Sequence, residues 1–381
     1  KAQRRVQIAG ADEHNVVVTS YDLMRRDIDE YIEQDFVRVV LDEAQYIKNP
    51  LTQVARAAKR LPAGVRFALT GTPIENRLSE LWSIFDFLMP GLLGTRDSFA
   101  KRFESPVEHA EGDSAARLQA LVSPFVLRRI KEDVVADLPE KIEDTVMAQL
   151  AGEQRKLYLA NQDRIAQQAP HREAGEFKKD KLKVLAELTK LRQICCDPHL
   201  HYADYKAGSA KLDTCMELVH GALDGGHRIL LFSQFTGMLD IIGKRLAKED
   251  IAFLKLTGAS SKESRAEMVA QFQAGEVPVF LISLKAGGVG LNLTAADVGI
   301  HYDPWWNVAA QDQATDRAHR IGQQHTVTVY KLIAKDTIEE RIMQMQESKR
   351  DLVNSVLGGD GISSALFTRE DVLALLGGDG R

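Results

Sequence analysis

Two adjacent carboxylates, Asp42 and Glu43, directly follow the apolar run FVRVVL at positions 36–41. Such a β-branched run is typical of a strand buried on both faces of a parallel sheet, which would place both carboxylates at the carboxyl end of a strand. There, one carboxylate can hold Mg²⁺ and the other can orient an attacking water, as phosphoryl transfer requires. Without neighbouring motifs, an acidic loop or a helix N-cap is the simpler interpretation.

Hydroxyl and glycine residues follow the next apolar run. FALT at 67–70 leads into Gly71, Thr72 and Pro73, a sharp exit from a strand. The carboxyl ends of neighbouring parallel strands face the same ligand crevice, so Thr70 and Thr72 could hydrogen-bond to the acidic pair and respond to a bound nucleotide. A structural turn is the alternative.

A basic segment stands near the other end of the chain. QDQATDRAHRIGQ at 311–323 places Arg317 and Arg320 three residues apart, which predicts neighbouring positions on one helix face. Two fixed guanidiniums suit a γ-phosphate, in the role of an arginine finger. Taken alone, a surface charge cluster explains them better.

Glycines and tryptophans precede this basic segment. SLKAGGVGLNL at 283–293 contains three glycines that would let the backbone approach a phosphate closely, although a glycine-rich turn is weak evidence by itself. Trp305 and Trp306 could stack on bases, and one of the two is expected in the core.

The elements that position these residues follow one pattern twice. Before residue 71, strand-like runs at 15–20, 36–41 and 67–70 alternate with a helical stretch at 52–60. After Pro198, strand-like runs recur at 228–232, 253–256, 277–282 and 298–302, with helices at 238–248 and 264–274. Between the two, the apolar spacing is helical. The order predicts two α/β lobes separated by helical insertions.

Composition limits the class of protein. A chain of 381 residues predicts two domains, and no apolar run reaches the roughly 18 residues that cross a bilayer. A net charge of -5 means that any nucleic-acid contact must come from a local surface. Three cysteines are too few for a disulfide framework, and a cytoplasmic location is expected.

Seven segments together resemble the Swi/Snf-type ATPases of helicase superfamily two, the DNA-translocating motors of chromatin remodellers and their bacterial relatives. The segments are TSYDLMRRD (19–27), LDEAQYIKNP (41–50), LTGTPIENRLSELWSIFDFL (69–88), FVLRRIKEDV (125–134), LRQICCDPHL (191–200), ILLFSQFTGMLDII (229–242) and DRAHRIGQ (316–323). The resemblance extends to about residue 342, and chance agreement over so many spaced blocks is remote.

The resemblance implies an α/β fold with two RecA-like lobes, each a parallel sheet flanked by helices, together with helical insertions and an incomplete first lobe. The expected domains are residues 1–135 for the C-terminal part of lobe 1 with its insertion, 136–205 for a helical protrusion and linker, 206–340 for lobe 2, and 341–381 for a helical tail.

The resemblance also implies ATP and Mg²⁺ as cofactors, with Asp42 binding the metal, Glu43 activating water, and Arg317 and Arg320 reaching the γ-phosphate. The residues expected to bind or sense nucleotide are Thr70, Gly71, Thr72, Gly288, Gly290 and Gln313. Those expected to contact double-stranded DNA are Thr19, Ser20, Ser233, Gln234, Thr257, Gly258, Lys285 and Trp306.

The sequence departs from the family pattern in one important respect. No Gly-x-x-x-x-Gly-Lys-Ser/Thr occurs, and the nearest imitation, GSAK at 208–211, lacks the spacing that cradles phosphates. Relatives carry that loop before the segment that matches this chain, so we expect a fragment unable to hydrolyse ATP alone. Two smaller departures are Gln45, in place of a histidine, and Val308, in place of a proline.

The resemblance implies ATP-dependent translocation on double-stranded DNA. We expect a monomer that is associated with the bacterial nucleoid and not with a membrane, and a DNA-bound protein as its remodelling target. A strand-separating helicase would use similar lobes, but the helical insertions and DRAHRIGQ resemble the translocases. An alternative of a different functional class is a non-catalytic scaffold that binds DNA or protein. The missing phosphate loop favours the scaffold for this chain. Glu43, Arg317 and Arg320 instead indicate that the longer protein to which the chain would belong is catalytic.

Overall fold

The computed structural model describes residues 2–10, 16–71, 78–105, 114–127, 129, 138–168, 174–284, 291–305, 308–344 and 346. They divide into two compact units, one up to Leu127 and one after it. Among these residues, no helix has both the length and the apolar character that a bilayer crossing needs.

The first unit contains short helices around a pair of strands. Its helices are α1 (Ala2–Ala9), α2 (Tyr21–Arg26), α3 (Ile28–Tyr31), α4 (Gln53–Arg60), α5 (Leu78–Leu88), α6 (Arg96–Phe99) and α7 (Ser114–Val122). Its strands are β1 (Arg38–Leu41) and β2 (Val65–Ala68). Single helical turns lie at Ala44–Ile47, Ala100–Glu104 and Ser123–Phe125. Side-chain caps fix several starts, as where Thr52 Oγ1 accepts the backbone N–H of Ala55 ahead of α4.

The two strands pair in parallel, from Arg38 opposite Val65 to Leu41 opposite Ala68. One face of the pair packs on α4 and α5, while the other exposes apolar side chains, with Val40 55% and Phe67 46% accessible. The prediction that β1 is buried on both faces therefore holds for one face only. Of residues 15–20, which the sequence predicted as a strand, the described residues 16–20 form neither a strand nor a helix.

The helical pattern predicted from Leu78 onward is confirmed for the residues described there. Its apolar face builds a separate small core, in which Phe85 of α5 meets Phe99 of α6 and Leu118 of α7. Each of these three side chains is at most 2% exposed. The helices of this region therefore pack on one another and form an insertion of their own.

The second unit has a six-stranded sheet with helices around it. Its strands are β3 (Lys141–Gln149), β4 (Ile229–Ser233), β5 (Phe253–Leu256), β6 (Val279–Ser283), β7 (Val298–His301) and β8 (Val327–Lys335). Its helices are α8 (Gly152–Gln168), α9 (Ala174–Cys196), α10 (Ala210–Asp224), α11 (Thr236–Lys248), α12 (Lys262–Ala274) and α13 (Val308–Thr315). A short 3₁₀ turn lies at Pro198–Leu200, and residues 338–344 are helical.

All six strands run parallel in the order β3-β8-β7-β4-β6-β5. Every residue of the central strands β4 and β6 is buried, because one apolar cluster covers each face of the sheet. Leu231 faces one cluster, and Leu230 and Phe232 face the other. The continuous apolar runs that predicted these strands are thus explained by burial on both sides.

The outer strands β3 and β8 were not predicted from the sequence. β3 lies within 136–205, where only a helical protrusion and a linker were expected, and it forms the edge of the sheet, paired with β8 alone. Its sequence, KIEDTVMAQ, contains four charged or hydroxyl residues, because an edge strand has few apolar neighbours to meet. The helices of this segment are α8 and α9, which pack together in a core that includes Tyr158 of α8 and Leu191 of α9.

A buried ion pair links α10 to the helix near the C-terminal end of the described residues. Lys211, at the start of α10, donates to Glu339 at 2.5 Å, and neither side chain is exposed to solvent. Glu339 also accepts the backbone N–H of Ala334 at 2.9 Å. Of the helical tail expected at 341–381, residues 341–344 and 346 are described and helical, and the remainder lies outside the described residues.

Candidate functional site

The acidic pair forms a turn at the carboxyl end of β1. Beyond the strands, the ladder continues through Leu69, whose N–H donates to Leu41 and whose carbonyl accepts from Ala44, both at 2.8 Å. Asp42 and Glu43 thus occupy the two positions between these bonds. The backbone places them beside Thr70, as the sequence predicted from the two strand ends.

Glu43 has a left-handed backbone, with φ 51° and ψ 52°. This conformation is uncommon for residues other than glycine, and it occurs preferentially where function requires a side chain in a particular direction. The turn also brings the backbone N–H of Glu43 to 3.0 Å from Asp42 Oδ1. Backbone strain and this hydrogen bond together fix how the two carboxylates diverge.

A chain of side-chain hydrogen bonds joins Glu43 to the next loop through Gln45. Gln45 Nε2 donates to Glu43 Oε2 at 2.6 Å, and Thr70 Oγ1 donates to Gln45 Oε1 at 2.8 Å. The amide can serve both partners because it is a donor at one end and an acceptor at the other. Gln45 is thus the middle residue of a hydrogen-bonded relay that runs from Glu43 to Thr70. From the sequence, Thr70 was expected to bond near the acidic pair, but Gln45 was not expected to lie between them.

Asp42 presents a carboxylate that could help to hold a magnesium–nucleotide complex. Its side chain is exposed, and within the described part of the chain only its Oδ1 is hydrogen-bonded, to the backbone N–H of Glu43. No cluster of three or more metal-ligating side chains occurs among the described residues. Mg²⁺ is commonly held by one or two carboxylates, waters and substrate phosphates, which is the arrangement that Asp42 can complete.

The first residue of α2 contacts the acidic turn. Tyr21 Oη donates to the backbone carbonyl of Asp42 at 2.7 Å. Burial, followed by the nearby Asp42 and Glu43, raises the pKa of Tyr21, so the phenol stays a neutral donor. Ser20, expected to contact DNA, caps α2 by accepting the Leu23 N–H at 3.3 Å, while Thr19 is exposed.

The arginine segment of the second unit differs from the expected helix. α13 ends at Thr315, and Arg317 and Arg320 lie in the turns that follow, so their placement on one helix face is wrong. The physical reason is Gly322, whose φ of 104° belongs to a bend that redirects the chain toward β8. Arg320 is exposed and Arg317 half-buried.

Two buried side chains that the sequence did not single out hold the arginine turns in place. Gln323 Nε2 donates to the carbonyls of Thr294, Ala296 and Ala318, at 3.2, 2.7 and 3.1 Å. His319 Nε2 lies 2.7 Å from the carbonyl of Pro139. The turns are therefore anchored to the chain on either side, although no local sequence signal marks these long-range bonds.

The predicted DNA-contacting residues of the second unit gather at the carboxyl edge of its sheet. Ser233 is the last residue of β4 and Gln234 follows it, and Thr257 and Gly258 follow β5. Thr257 Oγ1 accepts the N–H of Ala259 at 3.3 Å, which shapes an exposed turn with Gly258. They share one edge because the strands of this sheet are parallel, which brings the carboxyl ends of β4 and β5 to the same side.

Ser233 is buried, and its hydroxyl donates to Asp303 Oδ1 at 2.5 Å. Asp303, two residues beyond β7, also accepts the backbone N–H of Gln234 at 3.3 Å. Burial raises the pKa of Asp303, while Arg192 and the bond from Ser233 oppose that shift. A carboxylate after a buried strand is the signal that singled out Asp42, and it could have identified Asp303.

Several expected site residues lie outside the described residues, namely Thr72, Lys285, Gly288, Gly290 and Trp306. Gln313, expected to sense nucleotide, lies half-buried on α13.

Parallel strands flanked by helices in both units are the arrangement found in helicase-type ATPases with two RecA-like lobes. The chain matches the family model described as "SNF2-related domain" over residues 2–200 and the one described as "Helicase conserved C-terminal domain" over residues 210–322. It belongs to the SNF2-related family, which confirms the fold class and the family expected from the sequence.

Relatives and a solved structure support this assignment. A Bacillus subtilis protein named "Putative ATP-dependent helicase/translocase YwqA" is 41% identical over 93% of this chain, which covers 39% of that protein. The human "TATA-binding protein-associated factor 172" is 35% identical over 95% of this chain, which covers 23% of that protein. The chain thus spans well under half of these relatives. The structure "Sulfolobus solfataricus SWI2/SNF2 ATPase core in complex with dsDNA" has a TM-score of 0.50 and 38% identity, covering 89% of this chain and 72% of the other.

Proposed function

We propose that this chain supplies most of a motor that couples ATP hydrolysis to translocation on double-stranded DNA. The observation that carries the proposal is the hydrogen-bonded relay from Glu43 through Gln45 to Thr70. A relay of this kind links a carboxylate that can orient water to a loop at the next strand end, where the nucleotide's state would change the loop. A solvated acidic loop would need neither the relay nor the left-handed backbone at Glu43.

In this proposal the chain's own residues have separate roles. Asp42 presents its exposed carboxylate to Mg²⁺, which when bound neutralises charge on the nucleotide phosphates. Glu43 accepts a proton from the attacking water and orients its lone pair, and Gln45 holds the Glu43 carboxylate in place. Arg317 and Arg320 offer guanidiniums to the γ-phosphate. The sheet-edge loops of the second unit bind the duplex backbone.

The solved SWI2/SNF2 core in complex with double-stranded DNA supports DNA as the partner. One relative's name links it to the TATA-binding protein, which supports a DNA-bound protein as the target. Because backbone contacts dominate such binding, affinity should be weakly sequence-specific and should fall as salt rises, by a slope of about 0.9 in log K per phosphate contacted. Anisotropy titrations of a labelled duplex at several salt concentrations test this, and a flat response would contradict it.

The chemical step is tested by phosphate release with duplex present. The chain alone should release no more phosphate than its Asp42→Ala variant, because no Gly-x-x-x-x-Gly-Lys-Ser/Thr loop is present. A protein that joins this chain to such a loop should be stimulated by duplex, and Asp42→Ala should abolish that activity. Turnover by the chain alone would disprove the first expectation, and full activity of the joined Asp42→Ala variant would disprove the site.

Translocation is distinguished from strand separation with two substrates. The joined protein should displace the third strand of a triplex while leaving a labelled duplex intact. Release of a duplex strand would identify a strand-separating helicase instead. Duplex binding without ATP-dependent displacement of either strand would identify a scaffold.

A further inference from the structure

Arg192 is a fully buried arginine near the C-terminal end of α9, with a side chain 2% exposed. Its Nη1 donates to Gln234 Oε1 at 3.1 Å, and its Nη2 donates to the backbone carbonyl of Pro304. The guanidinium also lies over the ring of Phe235, 5.7 Å from the centroid. The three contacts all fall on the loops that follow β4 and β7.

These two loops leave neighbouring strands where the sheet ladder ends. The last bond of the β4–β7 pairing joins the N–H of Tyr302 to the carbonyl of Phe232 at 2.9 Å. Beyond it, Gln234 follows β4 and Pro304 lies on the loop after β7. The planar fork of Arg192 links these two loops, since Nη1 donates to Gln234 and Nη2 donates to Pro304.

Asp303 balances the charge of Arg192 and belongs to the same arrangement. Its Oδ2 lies 3.9 Å from Arg192 Nη2, and it accepts from the hydroxyl of Ser233 and the N–H of Gln234. A buried charged pair contributes little to folding stability, because well-packed apolar residues of similar volume stabilise a fold as much or more. Stability alone therefore does not explain why Nη1 and Nη2 of this guanidinium both donate to acceptors on loops.

We propose that Arg192 is a positioning residue for duplex binding, which fixes the spacing between the Gln234 loop and the Pro304–Trp305 loop. Because its side chain is 2% exposed, it acts through those loops and does not touch the nucleic acid. The proposal rests on the proposed function, since it assumes that these loops meet the duplex. Nothing in the family resemblance gave Arg192 a role, and its contacts alone single it out.

The primary variant is Arg192→Lys, which keeps the charge opposite Asp303 and the aliphatic stem but has one nitrogen for two acceptors. The matched control is Arg164→Lys, because Arg164 on α8 also uses two nitrogens, here to grip Glu187 on α9, and it lies away from the sheet edge. The thermal unfolding of both variants is first followed by circular dichroism. Their affinity for a labelled duplex is then measured by fluorescence anisotropy.

We expect Arg192→Lys to remain folded and to bind the duplex about tenfold more weakly, the equivalent of one lost hydrogen bond to a charged group. Arg164→Lys should bind as the wild-type chain does. Gln234→Ala supplies a readout that a merely structural role would not move: if Arg192 acts through Gln234, the Arg192→Lys loss should be much smaller in the Gln234→Ala background.

Wild-type affinity in Arg192→Lys would overturn the inference, and so would a loss unchanged by Gln234→Ala. Unfolding of Arg192→Lys at the assay temperature would also overturn it, by showing that the fork holds the fold and not the loops. If the wild-type chain itself fails to bind duplex, the proposed function fails and this inference falls with it. The two failures are thus told apart by the wild-type titration.

Discussion

Replacing Lys211 by Met should destabilise the second unit more than neutralising the whole Lys211–Glu339 pair. Both side chains lack solvent exposure, and Lys211 Nζ lies 2.5 Å from Glu339 Oε2. The backbone N–H of Ala334 holds the same carboxylate oxygen at 2.9 Å, so the carboxylate cannot easily swing toward water. Lys211→Met therefore leaves a buried carboxylate without its cation.

Removing one member of a buried ion pair costs about 3–5 kcal/mol of unfolding free energy. The double variant Lys211→Met/Glu339→Gln has no orphaned charge and keeps an oxygen acceptor for the Ala334 N–H, so we expect a loss of only about 1 kcal/mol. The second substitution should thus restore about 2–4 kcal/mol of what the first removes, because the effects of residues in direct contact are not additive.

Urea unfolding followed by circular dichroism supplies the four free energies of the cycle. A Lys211→Met loss within the roughly 1 kcal/mol typical of exposed pairs would refute the reasoning. Strictly additive single substitutions would refute it equally.

Three further perturbations follow from the described contacts. Burial lowers the pKa of His301 from 6.5 to about 3. Between pH 3 and pH 6.5 this imidazole is therefore protonated in the unfolded chain and neutral in the folded one. The free energy of unfolding should have its full value above pH 6.5 and should decrease as the pH falls below it. The loss should be about 2 kcal/mol between pH 7 and pH 5, and urea titrations of His301→Gln should show a shallower dependence. Gly243→Ala would put a Cβ 2.9 Å from Phe253 Cζ, so thermal melts should show destabilisation despite the better helix former, by about 1–3 kcal/mol, and Phe253→Leu should relieve it. Gln45→Ala in the joined protein should lower the kcat for ATP about tenfold with little change in KM, and an unchanged kcat would show that the relay is dispensable.

The sequence predicted the strands β4, β5, β6 and β7 of the second unit and missed β3 and β8. Runs such as RILLF at 228–232 have no polar interruption, because both faces of β4 meet apolar clusters. β8 reads VTVYKLIAK, in which Lys331 interrupts the run and pairs with Glu143 of β3. That pairing spans nearly the whole unit, so no local window could have indicated it.

The candidate site was predicted to a similar extent. The acidic pair and Thr70 could be placed together because the topology of parallel strands brings their carboxyl ends to one edge. The left-handed turn at Glu43 and the bridging amide of Gln45 could not, since both depend on how the turn closes. The helix expected at Arg317 failed because Gly322 and the long-range bonds of Gln323 outweigh local helix preference.

The position of β3 at the sheet's edge has a consequence for how the protein folds during synthesis. Among the residues that the structure describes, β3 is the first strand of its unit in the chain and pairs with β8, the last, from Lys141 opposite Val327 to Gln149 opposite Lys335. As the ribosome extends the chain, β3 must therefore remain without this ladder partner until nearly 190 further residues have emerged, because the two strands are that far apart in sequence. A nascent chain arrested before Val327 would leave β3 and one flank of β7 without β8, and such open strand edges favour aggregation.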